Sequence, residues 1–313
     1  MRHVFIVNPV AGKGQPARRW AAEAEEYCRA HAEEYFIYET TGPLDAQKYI
    51  RNWAGTGEAV RFYACGGDGT LSEVATGARN LPYAEVACIP CGSANDYVRT
   101  YGDESRFRNI EALIRGETVS VDAIDCNGRL SLDICAMGMD ANVAYKMTRY
   151  KNWPLVSGSM AYQMAIADCF VHRIGCDLRV TMELEDGSER VDEGRFFFSL
   201  AACGQYYGGG YRGAPAADPT DGLLDFVLIE AMSRLRIPAF LKKYKRGQHM
   251  DLPVCRSARG RRMRVQASRP TVVTVDGECF HAEDVTFAVI PQAVRFVLPR
   301  NLCLPQKTNV KKL

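Results

Sequence analysis

Long apolar segments are absent from this sequence of 313 residues: no uninterrupted hydrophobic run approaches the roughly 18 residues that a membrane-spanning helix requires. The first apolar run, Val4–Val7, is also too short for the core of a signal peptide. We therefore expect a cytoplasmic protein without a membrane span.

A regular spacing of cysteine or histidine is also absent. The twelve Cys are scattered, and the one Cys-x-x-Cys pair, Cys88 and Cys91, has no second pair to complete a zinc site. The five His occur at no metal-ligand spacing. These absences argue against a zinc centre and a disulfide framework, and we expect free thiols in a reducing compartment.

Net charge is small as well, at +2, so the whole-chain balance identifies no partner. Locally, residues 241–270 contain ten Lys or Arg and a single acid, Asp251. The densest parts of this segment, Lys242–Arg246 and Arg256–Arg264, either contact an anionic membrane surface or form a solvated loop face. No recognition module accompanies the charge, so we expect no nucleic-acid partner.

The first 116 residues alternate between short apolar runs and amphipathic segments. Strand-like runs lie at 4–7, 35–38, 59–64 and 86–89, and helical patterns lie at 16–34, 44–54, 71–78 and 97–101. This alternation predicts an α/β domain, with a mainly parallel sheet and flanking helices.

After Gly116 the pattern changes to strands separated by turns. Asn127-Gly128 separates runs 119–126 and 129–135, and Asp186-Gly187 separates runs 178–184 and 190–200; both dipeptides favour hairpins. Further strand-like runs lie at 226–229, 263–267, 272–275 and 285–290, and helical patterns lie at 141–148 and 159–171.

These patterns predict two domains. We expect an α/β domain at residues 1–118, onto which residues 292–313 pack back, and a mainly antiparallel β-sandwich at residues 119–291. The end of the chain, from Leu304 on, has the composition of a frayed tail.

The most informative motif, Gly66-Gly67-Asp68-Gly69-Thr70, joins an apolar strand to a helix. Glycines let backbone amides approach a phosphate, and a helix N-terminus supplies free N–H groups and a positive dipole end. An acid beside phosphates is repulsive unless it holds Mg²⁺ or takes a proton. The motif therefore predicts a phosphate-binding loop in which Asp68 takes part in the chemistry; a plain tight turn is the alternative.

Two further strand-end segments have a similar design. Residues 90–96, PCGSAND, follow a strand and open a helix, so parallel strands would place them at the same sheet edge as the first motif. Their Ser93, Asn95 and Asp96 either contact phosphate or only cap the helix. The third segment, NPVAGKG at residues 8–14, is not a Walker A motif, because Lys13 is not followed by Ser or Thr.

Five motifs in order resemble the diacylglycerol-kinase catalytic-domain family, in particular the soluble bacterial lipid kinases, which are similar to sphingosine and ceramide kinases. They are NPVAG, GGDGT, PCGSAND, the glycine-rich segment 208–225 with its Pro-x-Ala-x-x-x-Asp-Gly core, and VDGE at 275–278. GGDGT alone would not distinguish this family from NAD kinases and phosphofructokinases. The sequence departs from the family pattern at Ser72, Ser93 and Cys203, where Asn, Thr and Asn are usual.

The resemblance implies residue roles. Glu278 would be the general base on a lipid hydroxyl, and Asp68 would act beside it across an interdomain cleft, through Mg²⁺ or as the alternative base. Asp218, Asp221 and the Leu223 carbonyl would form a separate Mg²⁺ site, although the two acids also suit an Asx-type turn. The residues implied for the ATP site are Asn8, Pro9, Val10, Ala11, Gly12, Thr40, Gly66, Gly67, Asp68, Gly69, Thr70, Leu71, Ser72, Gly92, Ser93 and Asn95.

The implied function is an ATP-dependent lipid kinase that moves the γ-phosphate of Mg·ATP to a membrane-lipid hydroxyl, with diacylglycerol as first candidate and phosphatidic acid as product. A sphingoid base, ceramide or phosphatidylglycerol stays open as acceptor. An NAD kinase fits the other motifs poorly, and a non-catalytic nucleotide sensor would not need both Asp68 and Glu278. We expect two partners. One is the lipid substrate, which the protein contacts transiently at the inner face of the membrane, and the other is a second copy of the chain in a homodimer.

Overall fold

The computed structural model describes residues 1–13, 15–55, 57–138, 145, 164 and 175–302. The described residues divide into two compact units: those within 1–123 and 291–302 form the N-terminal unit, and those within 124–290 form the C-terminal unit. The predicted helices at 141–148 and 159–171 lie outside the described residues, except for positions 145 and 164. The predicted tail also lies outside them. Among the helices of the described ranges, none is long and apolar enough to cross a membrane.

The N-terminal unit is built on a parallel sheet with the strand order β2-β1-β3-β4-β12. Its strands are β1 (Arg2–Val7), β2 (Tyr35–Glu39), β3 (Val60–Gly66), β4 (Ala84–Pro90) and the end of β12 (Glu278–Leu298). Every residue of β3 and β4 is buried, because both faces of the sheet are covered. The two strands are mainly apolar, and their buried charges, Arg61 and Glu85, pair with each other at 2.7 Å. The edge strand β2 leaves Phe36 and Ile37 partly exposed.

Five α-helices connect and cover these strands: α1 (Gln15–Ala30), α2 (Asp45–Arg51), α3 (Asp68–Ala78), α4 (Asp96–Arg99) and α5 (Ile110–Ile114). Short 3-10 turns lie at Ala11–Lys13, Asn52–Gly55 and Glu104–Arg108. The α/β prediction is confirmed. Helix α3 begins before the predicted Leu71, because its first turn holds Asp68, Gly69 and Thr70 and apolar periodicity cannot detect a turn of that composition.

The C-terminal unit is mainly antiparallel, as predicted. Strand β5 (Glu117–Cys126) runs into it from the N-terminal unit, and β12 begins in it. The remaining elements are β6 (Arg129–Ser131), β7 (Ile134–Gly138), β8 (Cys176–Leu184), β9 (Glu189–Ala202), β10 (Leu224–Glu230), α6 (Ile237–Lys245) and β11 (Cys255–Val275). Strand β9 pairs with β7, β8 and β10, and β11 pairs with β7, β8, β10 and β12.

Two apolar cores lie on opposite faces of the central strands of this unit. In β10, Leu224, Phe226 and Leu228 enter one core, and Val227 and Ile229 enter the other. This alternation follows from the two-residue period of a strand. The second core is closed by α6. Both faces of β10 are therefore covered at residues 226–229, which form a continuous apolar run.

Both predicted hairpin turns are confirmed. Asn127 and Gly128 have φ values of 48° and 88° between the paired residues Cys126 and Arg129, as a type I′ turn requires. Gly187, at φ 81°, lies in the turn between β8 and β9.

Two strand predictions were wrong. Residues 129–135 form two strands rather than one, because the chain breaks at Leu132, whose N–H donates to the Asp276 carboxylate at 3.1 Å. The runs 263–267 and 272–275 belong to the single strand β11. That strand also contains Arg256–Arg264, so the loop-face interpretation of this basic run is wrong: the run pairs with β8 and β10, and three of its arginines pair with acids.

Candidate active site

The ends of β3 and β4 lie against each other, and glycine makes this approach possible. A Cβ on Gly92 would lie 2.5 Å from the Gly67 Cα, a distance that real Cβ atoms do not reach. The Cys91 N–H donates to the Gly66 carbonyl at 2.8 Å. Residues 66–70 and 91–95 are thus brought together at the carboxyl edge of the parallel sheet, as the parallel arrangement of the strands predicted.

The segment after β1 contacts both of these loops. The Asn8 side chain donates to Thr70 Oγ1 at 3.0 Å, and the Asn8 N–H donates to the Cys65 carbonyl at 3.0 Å. Gly12 has a left-handed backbone with φ 56°, and a Cβ there would lie 2.4 Å from the Cys91 carbonyl oxygen. Three strand-end loops therefore share one small region of the N-terminal unit.

The first turn of α3 is the strongest anion-attracting feature of this region. The first helical hydrogen bond runs from the Leu71 N–H to the Gly67 carbonyl at 3.1 Å, and no side chain caps the helix. The N–H groups of residues 68–70 therefore precede the hydrogen-bonded turns. Gly69 is exposed, and nothing lies within 4 Å of the position its Cβ would take. Open backbone at a helix N-terminus suits a phosphate.

Two carboxylates lie at the starts of successive helices in this region. Asp68 Oδ1 accepts a hydrogen bond from the Tyr97 N–H at 3.4 Å, which ties α3 to α4. The next acid, Asp96, is buried and lies 3.9 Å from Arg99 Nε. Sequence reasoning considered Asp96 only as a phosphate contact or a cap. The sequence held no signal for the bond between Asp68 and the Tyr97 N–H, because it depends on how two separate loops pack.

Asn95 shapes its own loop. Its side-chain oxygen accepts from the Gly92 N–H at 3.0 Å, and its side-chain nitrogen donates to the Gly92 carbonyl at 3.1 Å. Asn95 itself has φ 53°, a left-handed conformation that Asn tolerates. No side-chain hydrogen bond caps α4.

The other predicted ATP-site residues differ in exposure. Val10 and Ser93 are exposed, whereas the Leu71 side chain is buried and its N–H is already engaged. The Thr40 N–H donates to the Val7 carbonyl at 2.9 Å, so the end of β2 joins the end of β1. Among the described residues, Pro9, Ala11 and Ser72 form no hydrogen bond to a neighbouring strand-end loop.

Three buried cysteines underlie these loops. Burial raises the pKa of the Cys65 and Cys88 thiols, and it raises that of Cys91 to about 11. They therefore stay protonated at neutral pH, which makes them poor nucleophiles and poor metal ligands. All ten cysteines of the described ranges are free thiols.

The predicted metal ligands lie in the C-terminal unit. Asp218 Oδ1 accepts from the Thr220 N–H at 3.0 Å and from its hydroxyl at 2.7 Å, and Asp221 Oδ1 accepts from the Leu223 N–H at 3.1 Å. Both acids thus form Asx-type turns, and one oxygen of each is held toward its own backbone. Asp221 Oδ2 is paired with the Arg259 guanidinium.

This acid cluster contains more negative charge than its arginine offsets. Buried Asp225 lies 3.5 Å from Arg259 Nε, and burial together with the nearby Asp221 raises its pKa to about 6 despite that arginine. Burial and the nearby Asp218 also raise the pKa of Asp221. Three carboxylates beside one guanidinium suit a hard divalent cation with oxygen ligands. Even so, no group of three or more His, Cys, Asp or Glu in the described ranges is arranged to hold a metal ion.

Glu278 follows the tight turn between β11 and β12. Asp276 and Gly277 have φ values of 45° and 88°, and the Asp276 carboxylate accepts from the Ser131 hydroxyl at 2.5 Å. This anchor fixes the turn, whereas the Glu278 side chain is 67% exposed and lies 3.6 Å from Arg129 Nη1. An exposed carboxylate on a fixed turn can exchange protons with solvent or substrate.

Family models match almost the whole chain. Residues 2–126 match the diacylglycerol kinase catalytic domain. Residues 133–298, more than half of the chain, match the YegS C-terminal NAD kinase beta sandwich-like domain. The chain belongs to the diacylglycerol kinase-like lipid kinases. The resemblance inferred from five motifs is confirmed, and so is the fold class of an α/β part followed by a β-sandwich-like domain.

Named relatives of this lipid kinase support the same family. A Shewanella frigidimarina protein named "Probable lipid kinase YegS-like" is 28% identical over 255 residues, which cover 78% of each chain. The "Diacylglycerol kinase" of Bacillus subtilis is 24% identical over 301 residues, covering 95% of this chain and 96% of its own.

Solved structures share the fold of this lipid kinase. A diacylglycerol kinase from Bacillus anthracis str. Sterne aligns over 96% of this chain and 98% of its own, with a TM-score of 0.68 and 18% identity. Another crystal structure from that organism aligns over 96% of both chains with a TM-score of 0.74 and 21% identity. At this identity the likeness establishes the fold alone.

Proposed function

We propose that this lipid kinase transfers the γ-phosphate of Mg·ATP to the hydroxyl of diacylglycerol, giving phosphatidic acid. One observation supports the nucleotide half of the proposal above all others: the backbone approach of Gly67 to Gly92 beside the open first turn of α3. A relative named for diacylglycerol, matched over nearly the full length, supports the choice of acceptor.

ATP would be held at the carboxyl edge of β1, β3 and β4. The N–H groups at the start of α3 would donate to phosphate oxygens, and Gly69 leaves them uncovered. Asn8 would position Thr70 through their hydrogen bond. Gly12, Thr40, Ser72 and Ser93 would complete the site, and Asn95 would keep the Gly92 loop in shape.

Asp218, Asp221 and the Leu223 carbonyl would hold one Mg²⁺, and Asp68 would serve a second one bound with the nucleotide. When bound, Mg²⁺ neutralises charge on phosphate oxygens during phosphoryl transfer. The excess negative charge around Asp221 and Asp225 is the observation that supports a cation at the first of these sites.

Glu278 would accept the proton of the lipid hydroxyl as the new P–O bond forms. Its exposure and its fixed turn suit a group that exchanges protons during each turnover. Asp68, whose carboxylate accepts a hydrogen bond from the Tyr97 N–H, is the alternative base. Phosphoryl transfer depends mainly on positioning and charge stabilisation, so one carboxylate base suffices.

A lipid-panel kinase assay tests the proposal. Purified protein is incubated with Mg²⁺ and γ-labelled ATP in detergent micelles that contain diacylglycerol, a sphingoid base, ceramide or phosphatidylglycerol. We expect label in phosphatidic acid, with the other acceptors at least tenfold slower. Faster labelling of another lipid would reassign the acceptor while keeping the kinase.

NAD is tested as a further acceptor in the same assay, because the C-terminal domain matches an NAD kinase-like sandwich domain. Phosphorylation of NAD, without phosphorylation of any lipid in the panel, would contradict the proposal. Tight ATP binding without transfer to any acceptor would instead indicate a nucleotide sensor.

A further inference from the structure

Helix α6 exposes a strongly basic face. It buries Ile237, Phe240 and Tyr244 against the second core of the C-terminal unit. The opposite face, together with the 3-10 turn that precedes it, is solvent-exposed. Six exposed cations lie there, and we call them the α6 surface: Arg234, Arg236, Lys242, Lys243, Lys245 and Arg246.

From Arg236 to Arg246 the charge of the α6 surface is uncompensated, in contrast to that of the nearby arginine-rich strand. Residues 231–250 contain no acid. Within the described part of the chain, none of the cations from Arg236 to Arg246 forms an ion pair. On β11, by comparison, Arg256 pairs with Asp192 and Glu230, and Arg264 pairs with Asp284. Among the described residues, the five cations from Arg236 to Arg246 thus form no ion pair, whereas three of the six arginines of β11 are paired with acids.

An apolar tip accompanies this charge. Leu235 is 93% exposed, the highest value among the large apolar side chains of the described residues, and it lies between Arg234 and Arg236. A nucleic-acid backbone would be matched by the cations alone. A bilayer offers both an anionic headgroup layer and an apolar interior, so cations around an exposed leucine match it better.

We propose that the α6 surface docks this protein on anionic phospholipid bilayers, with Leu235 inserted at the headgroup boundary. The inference rests on the proposed function, because a kinase whose acceptor is a membrane lipid must reach that lipid at a bilayer. It assigns the docking role to α6 rather than to the arginines of β11.

Vesicle co-sedimentation of the full chain tests this proposal. The test variant carries K242Q, K243Q, K245Q and R246Q, and the matched control carries R261Q, R262Q, R264Q and R269Q, which removes the same charge from exposed positions of β11. Each surface cation contributes about fivefold to binding an anionic membrane. We expect the α6 variant to bind phosphatidylglycerol-containing vesicles more than about 100-fold more weakly, and the control to lose less than about fivefold.

A second pair of variants tests the apolar tip. Leu235→Ser should weaken vesicle binding about tenfold and make the remaining binding more sensitive to salt. Val191→Ser changes another partly exposed apolar side chain, on β9, and should leave binding unchanged. Circular dichroism and the melting temperature establish that each variant is folded.

Activity separates docking from catalysis. The α6 variant should phosphorylate diacylglycerol in neutral detergent micelles at the wild-type rate, yet be slow on anionic vesicles. Three outcomes would overturn the proposal. They are equal losses of binding in the α6 and β11 variants, binding that does not depend on phosphatidylglycerol, and tighter binding to single-stranded RNA than to vesicles. Vesicle docking through α6 by a protein that phosphorylates no lipid would support docking and contradict the proposed function.

Discussion

The two regions that contain the predicted site residues are built in different ways. At the carboxyl edge of the parallel sheet in the N-terminal unit, which we call the loop edge, backbone atoms pack against backbone atoms. Gly67 approaches Gly92, and Gly12 approaches Cys91. In the acid cluster of the C-terminal unit, charged side chains meet: Asp221 and Asp225 lie on Arg259. The first region would be damaged by a methyl group added at Gly12 or Gly92, and the second by a change of charge.

This difference determines what each region can bind. Backbone N–H groups at a helix start attract an anion whatever the neighbouring side chains are. A cluster of carboxylates attracts a cation only while its acids are ionised. Nucleotide binding should therefore depend little on pH near neutrality, whereas cation binding should weaken in mild acid.

The largest effect is expected from Glu278→Gln, which keeps the shape of the side chain and removes its basicity. We expect the rate of lipid phosphorylation to fall by about 10²- to 10⁴-fold, the usual contribution of a general base, with unchanged affinity for ATP. Steady-state assays and equilibrium nucleotide binding measure the two quantities.

Glu283→Gln is the matched control, because Glu283 is an exposed acid on the same strand, and it should behave as wild type. A near-normal rate in Glu278→Gln, with a large loss in Asp68→Asn, would move the base to Asp68.

Gly92→Ala should have the next largest effect. Its new methyl group would lie 2.5 Å from the Gly67 Cα and 2.9 Å from Asn95 Oδ1, so the loops must separate. Overpacking of this kind costs about 1–3 kcal/mol, which corresponds to a loss of ATP affinity of about 10- to 100-fold. Isothermal titration with a non-hydrolysable ATP analogue measures it.

The control for Gly92→Ala is Gly42→Ala, where nothing lies within 4 Å of the added atom. Unchanged nucleotide affinity in both variants would mean that the loop contact is not part of the nucleotide site.

The loop edge was largely predictable from the sequence, and the acid cluster was not. Apolar runs followed by turn residues identified β1, β3 and β4, and a parallel arrangement predicted that the loops after β3 and β4 share one edge of the sheet. The approach of Gly67 to Gly92 and the tie from Asp68 to Tyr97 depend on the packing of distant segments, which local patterns do not encode.

For the acid cluster, Asp218 and Asp221 were named through the family resemblance, but Arg259 and Asp225 were not. Arg259 was counted within a basic loop, whereas it lies on β11 opposite Asp225 of β10. Strand register alone brings these charges together. The position of the run on β11 also brings Arg256 and Arg264 to the acids with which they pair.

Magnesium should stabilise the protein in a manner that depends on pH. The native pKa of Asp225, about 6 against an ordinary value of 3.8, means that folded Asp225 retains its proton where the unfolded chain has lost it. Its contribution to stability therefore falls as pH rises from about 4 to about 6, and a bound cation would restore it above that range. We expect Mg²⁺ to raise the melting temperature by about 5 °C at pH 7.5 and by much less at pH 5.

Asp218→Asn combined with Asp221→Asn should abolish this magnesium effect, and Asp186→Asn, in the exposed hairpin turn of the same unit, should preserve it. A magnesium shift that survives the double substitution would place the cation elsewhere.

The smallest effect is expected from Asn8→Ala at the loop edge. The variant loses one hydrogen bond to Thr70 and one from the Val10 N–H, but keeps the backbone contacts. Since a neutral hydrogen bond contributes about 1 kcal/mol, the KM for ATP should rise about five- to tenfold with little change in kcat. Asn109→Ala, which removes the cap of α5, should leave KM unchanged. A large fall in kcat would give Asn8 a role in the chemical step.

Amide hydrogen exchange with and without a non-hydrolysable Mg·ATP analogue tests the central claim most directly, because the claim concerns backbone N–H groups. We predict that the analogue slows exchange in peptides covering residues 66–72 and 91–96, with little change across residues 176–202 of the C-terminal unit. Saturating analogue that leaves residues 66–72 unprotected, or protects only segments outside the three loops, would contradict the account.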